Sequence, residues 1–270
     1  MRWSPLALIF VFACLSTQDP DDAGRVDASV PVERDEGGEP DALPGAGKRV
    51  LDSSENPNPF GLTLFGRIED TMKGDGVTVD LKDVRGAVGH GVGLLADRDG
   101  LMVVSDGKAW MASVEGGKAV VAQPVDTTTL GFFAGTPEPT WAKHAQEGNL
   151  DAMVLGSRIA NWMEQTKTPD TAPVPFRVEG TFDKLVLHVP DGSKLKGTTT
   201  IEQHAKTGAT LEFAAEQAVI VGLHSPGHEG EFTHPGETIL AYAIVGDPPQ
   251  IGHVDAWTTG PGATLKLPKR

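Results

Sequence analysis

The chain has 270 residues, of which 39% are hydrophobic and 22% charged, with a formal net charge of −14. That apolar fraction excludes a wholly disordered chain, and the acidic balance excludes a nucleic-acid binder, which needs a basic face. With one cysteine, Cys14, neither an internal disulfide framework nor a zinc site built on several thiolates is possible.

Residues 1–13 carry a single positive charge, Arg2, ahead of an apolar run from Pro5 to Ala13. The run is shorter than the roughly 20 residues that cross a bilayer, and it suits the h-region of a secretory signal. It closes on Val11-Phe12-Ala13-Cys14. This resembles a bacterial lipobox, in which a small residue precedes a cysteine that becomes lipidated, although Phe12 is bulkier than usual. The alternative is an ordinary signal peptide, or an uncleaved anchor, with an incidental cysteine. From Leu15 to Asn58 eleven acidic residues stand against four basic ones, which is half of the chain's net charge. Without aromatic residues this stretch cannot offset about 1–2 kcal/mol of backbone entropy per residue. The expected organisation is a signal peptide over 1–13, then a lipidated Cys14 and a disordered acidic tether over 14–58. It implies an exported protein attached to the membrane of a bacterial cell envelope.

The folded body is expected over 59–270. Leu101–Ser105 and Lys108–Ala112 flank Asp106-Gly107, a pair suited to the primed turn of a tight hairpin, and Gly116-Gly117 repeats the device. One helix is predicted over 149–165, with Asn149 as a possible cap and Ala152, Leu155, Ile159, Trp162 and Met163 on one face. Strands are then predicted near 174–180, 182–189, 209–214, 217–224, 238–245, 252–258 and 262–267. The fold class is α+β, β-dominated, with β-rich subdomains at 59–148 and 172–270 joined by the helix.

Several segments of the body resemble α-acetolactate decarboxylases. Gly66-Arg67-Ile68-Glu69, Val79–Asp83 and Gly89-His90-Gly91-Val92-Gly93 through Asp99-Gly100 resemble their N-terminal half. Val178-Glu179-Gly180-Thr181-Phe182 resembles a mid-chain segment. Gln217–Leu223, Pro235-Gly236 and Gly252-His253-Val254 resemble the C-terminal half. The resemblance covers about residues 60–268. It implies two β-rich subdomains, a divalent metal between them that is usually zinc, decarboxylation of 2-acetolactate to acetoin, and often a dimer.

The metal positions depart from the family pattern. The family supplies two ligands from a His-x-His pair, whose alternate side chains share one strand face, and a third from the Gly-His-Val histidine eleven residues later. Here that spacing back from His253 reaches Tyr242 and Leu240. Catalytic zinc needs three protein ligands, and His253 alone cannot provide them. The family's early acid is retained as Glu69, its Asp-Gly-Glu reads Asp99-Gly100-Leu101, and its arginine falls at Leu187 or His188. The resulting expectation is a binding module for a small molecule or protein, without the parent activity and without a cofactor. The alternative is an active lyase or isomerase with zinc or another divalent metal held by a rebuilt site drawn from His224, His228, His234 and His253. Otherwise His224, His228 and His234 read as surface-loop residues, His90 as a loop residue, and His144 and His188 as structural or exposed.

Overall fold

The computed structural model describes residues 48–50, 58–84, 88–145, 148–197 and 200–270. The expected signal peptide, Cys14 and most of the expected tether lie outside the described residues. One part of the tether does not: Lys48–Val50 forms a strand, so the ordered body reaches back before residue 59.

In chain order the first sheet uses β1 (Lys48–Val50), β2 (Thr63–Phe65), β3 (Val79–Asp80), β4 (His90–Leu95), β5 (Leu101–Ser105), β6 (Lys108–Glu115), β7 (Lys118–Ala122) and β8 (Thr129–Thr136). Two short helices, α1 (Ile68–Lys73) and α2 (Leu81–Val84), flank β3. The spatial order is β1-β2-β8-β4-β5-β6-β7, with β3 against β8. Asp106 (φ 51°) and Gly107 (φ 69°) make the primed turn between β5 and β6, and Gly116 and Gly117 do the same between β6 and β7. His90 is not in a loop: it opens β4 and is buried.

The second sheet follows, with β9 (Trp141–Ala145), β10 (Val174–Val189), β11 (Ala209–Phe213), β12 (Glu216–His224), β13 (Ile239–Val245), β14 (Gln250–Thr259) and β15 (Thr264–Pro268). Its order is β12-β13-β14-β10-β15-β9, with β11 also on β10. Two expectations shift here. β9 precedes the main helix yet pairs with β15, so the first subdomain gives its last strand to the second sheet. The two strands predicted at 174–180 and 182–189 are one continuous strand, β10, which runs through Gly180 at φ 152°.

The helix α3 spans Ala152–Thr166 and buries Leu155, Ile159, Trp162 and Met163. Its cap is Asp151, which accepts a 2.9 Å bond from Val154 N, rather than Asn149. α3 packs on one face of the second sheet, against Phe176, Val178, Ala241, Ala243 and Trp257. The opposite face meets the first sheet through Val221, Leu223, Leu240, Tyr242 and Ile251. A seven-residue helix, α4 (Ile201–Thr207), opened by a Thr200–Gln203 capping box, follows β10.

Candidate functional site

Three neighbouring strands align the central side chains. In the ladder Tyr242 on β13 pairs with His253 on β14, and His253 pairs with His188 on β10. Paired residues share a face, so Tyr242, His253 and His188 form one row on the side of the sheet that faces the first sheet. The His188 and His253 rings are 4.8 Å apart, and Tyr242 meets His253 edge-on at 5.6 Å.

A bulge adds the carboxylate. On β14, Val254 pairs with Leu187 and Ala256 with Val186, which leaves Asp255 as the unpaired extra residue. Bulges re-aim side chains, and this one sends Asp255 Oδ1 to 2.6 Å from His188 Nδ1 and 3.3 Å from His253 Nδ1. His188, His253 and Asp255 each offer one ligand-type atom, all within 4.8 Å of one another.

The loop between β12 and β13 brings His234. Phe232 anchors this loop in the core between the sheets. Its Gly230 and Glu231 carbonyls accept bonds of 3.0 and 3.2 Å from the N–H groups of Glu69 and Ile68. Those donors begin α1 and would otherwise lack partners. The loop is thereby pinned to α1, and His234 Nδ1 lies 3.1 Å from Met72 Sδ on that helix. Its ring stands 5.0 Å from His253. His234 Nε2 and the Tyr242 hydroxyl are buried without a hydrogen-bond partner among the described residues.

Burial sets the charge of the group. It pushes His253 down to about 4, against the pull of Asp255, and pushes His234 well below its usual value. Both are neutral at pH 7. Burial also works against ionisation of Asp255, but the hydrogen bonds from His188 and His253 outweigh it and hold the carboxyl well below the carboxylate range. His204 on α4 is pushed to about 4 by burial and by the nearby His188. A cleft of about 540 Å³ adjoins the group, lined by His253, Asp255, Glu237, Ala241, Trp257 and the start of α3.

The other sequence-derived candidates are distributed differently. Leu240 and Tyr242 are fully buried in the apolar cluster between the sheets. His224 and His228 are buried, not surface-loop residues; His228 meets Ser225 Oγ at 3.0 Å and stacks on Phe232. Glu69 is outside the histidine group, bound to Lys73 at 2.5 Å beside Met72 and Pro235. Leu187 is buried on the α3 side and Leu101 in the core between the sheets. His188, read as structural or exposed, and Asp255, not singled out, complete the group. His144 is half-buried on β9.

Two facing antiparallel sheets, with Gly-Thr-Phe on the longest strand and Gly-His-Val on its neighbour, define an acetolactate decarboxylase-type fold. The chain belongs to the alpha-acetolactate decarboxylase family, whose model matches residues 71–258, more than half of its length. No curated protein matches the chain. Among solved structures it is similar to acetolactate decarboxylase from Bacillus subtilis subspecies spizizenii, at 17% identity and TM-score 0.59 over 77% of this chain and 85% of that one. The enzyme of B. subtilis strain 168 gives 16% identity, the same TM-score and the same coverage. A Staphylococcus aureus protein of unknown function, similar to alpha-acetolactate decarboxylase, gives 15% identity and TM-score 0.59 over 76% and 79%.

Leu240 has no donor atom, and Tyr242 is held neutral, since burial raises its phenol far above the usual value. The residues at these two positions do not fit a metal ion.

Proposed function

We propose that the protein is an envelope-anchored member of its family that does not decarboxylate acetolactate and whose cleft binds a small molecule. The observation that carries this reading is the burial of Leu240 and Tyr242 in the core between the sheets, where the family pattern has two imidazoles. The chemistry agrees. Decarboxylation leaves an electron pair on carbon, and a positive charge must meet the developing oxyanion. The family arginine's place is taken by Leu187 or His188, and His188 is engaged with Asp255. The cleft volume of about 540 Å³ suits a small ligand. The envelope part of the reading rests on Arg2, the apolar run and Cys14.

The test is CO₂ release from 2-acetolactate by the purified full chain, with and without added zinc. The expected result is no release above the uncatalysed rate. Release proportional to protein and lost in His253→Gln would overturn the reading. Radiolabelled palmitate is expected to mark the wild-type protein in cells and to leave Cys14→Ser unmarked; labelling of both overturns the anchor.

A second reading, an active metal-dependent lyase, is favoured by one observation: His188, His234 and His253 converge. The zinc arm of the same assay separates the two.

A further inference from the structure

We propose that His188, His253 and Asp255 form a divalent-metal site, with His234 as a neighbouring fourth donor. The inference deepens the binding reading by naming the ligand class that the cleft takes.

The donor set is two imidazoles and one carboxylate, a combination that suits zinc and other first-row divalent ions. It differs from the family's three imidazoles, and only His253 is common to both. In effect the site has moved sideways along the ladder row. The β13 donors are gone, and β10 supplies His188 from the opposite neighbour of β14.

Three observations support the assignment. The donors lie within 4.8 Å of one another, and the 3.3 Å between Asp255 and His253 is that of two atoms bound at about 2.0–2.1 Å to one tetrahedral ion, while the 2.6 Å contact of Asp255 with His188 is a hydrogen bond that an ion would replace. The carboxylate arrives through a bulge, a local departure from ladder geometry that re-aims a side chain. Independently, His234 is 3% exposed with Nε2 unpartnered among the described residues, and its ring is 5.0 Å from His253. A buried unpaired polar atom costs about 1–3 kcal/mol, and a metal–nitrogen bond would remove that cost. Glu237, on the wall of the adjoining cleft, adds negative charge beside Asp255.

The test uses the full chain, stripped with chelator and dialysed against zinc, with bound metal read by elemental analysis. One zinc per chain is expected, lost in His188→Gln and in Asp255→Asn, and unchanged in His224→Gln and His228→Gln. Cobalt(II) absorption of the wild-type protein adds a readout that needs no variant to fold. Visible bands of nitrogen and oxygen ligation are expected, without the thiolate charge-transfer band that Cys14 would give. Absence of stoichiometric zinc, retention in both H188Q and D255N, loss in His224→Gln or His228→Gln, or a thiolate band overturns the site. The titration contains no acetolactate, so its failure leaves the binding reading standing, and acetolactate turnover would overturn that reading without touching the site.

Discussion

Burial holds five histidines, His90, His204, His224, His234 and His253, below their ordinary value, and this makes the domain acid-sensitive. His90 is the best probe because it lies away from the His188 group. Its Nε2–H donates to the Phe176 carbonyl at 3.1 Å, and Trp141 covers it edge-on at 4.9 Å. Burial, with Arg177 nearby, pushes it down to about 3; the backbone bond and Asp106 only partly oppose this. Burial likewise pushes His204 and His224 to about 4. An unfolded histidine titrates near 6.5, so below that pH the unfolded chain binds protons that the native chain refuses. Stability is therefore fully present above about pH 6.5 and falls with pH toward the folded values. At pH 5 each such histidine has cost about 2 kcal/mol relative to pH 7, and three cost about 6 kcal/mol. That is comparable with the whole stability of an ordinary domain, about 5–15 kcal/mol. His253 and His234 act in the same direction. Glu237, whose carboxyl is raised by burial, is a single group that acts oppositely. Urea denaturation with chelator present, followed by tryptophan fluorescence at pH 7 and 5, measures the difference. His90→Gln should remove about 2 kcal/mol of the pH-dependent loss. Equal stability at the two pH values, or an undiminished loss in His90→Gln, would refute the reasoning.

Other substitutions test other features. Tyr242→Phe removes a buried hydroxyl with no partner among the described residues, so metal-free protein should gain about 1 kcal/mol in urea denaturation; a loss would place a hidden partner on the oxygen. Asp151→Ala should cost about 1 kcal/mol by deleting the α3 cap, while Asn149→Ala should be near neutral in the same measurement. Gly100→Ala should cost about 3 kcal/mol, because φ is 127° and the added Cβ would stand 2.1 Å from the Ala112 carbonyl oxygen. Thermal unfolding checks it, and an unchanged midpoint would contradict the geometry.

The hairpins at Asp106-Gly107 and Gly116-Gly117 were legible because turn chemistry is local, and α3 because its apolar face repeats every three to four residues. Tyr242 and His253, eleven residues apart, pair directly across β13 and β14. The His188 group was not legible, for two physical reasons. The ladder joins His188 to a partner 65 residues away, and the bulge at Asp255 breaks the simple alternation by which faces are counted. The loop histidines looked exposed because a polar, Gly-rich loop normally lies in water. Phe232 and the carbonyl contacts to α1 turn this loop inward instead.

β10 bonds in turn to β11, β12, β14 and β15. Nearly the whole second sheet thus hangs on one segment, whose partners come from residues 209–266. Such a segment cannot fray alone, because freeing it dissolves four ladders at once. Its amide hydrogens should exchange with solvent only when the domain unfolds globally, whereas β7, on the free edge of the first sheet, can open locally. Folding of the domain is correspondingly slow, since these contacts close long loops before they stabilise anything. His188 therefore sits on the part of the chain that is last to come free.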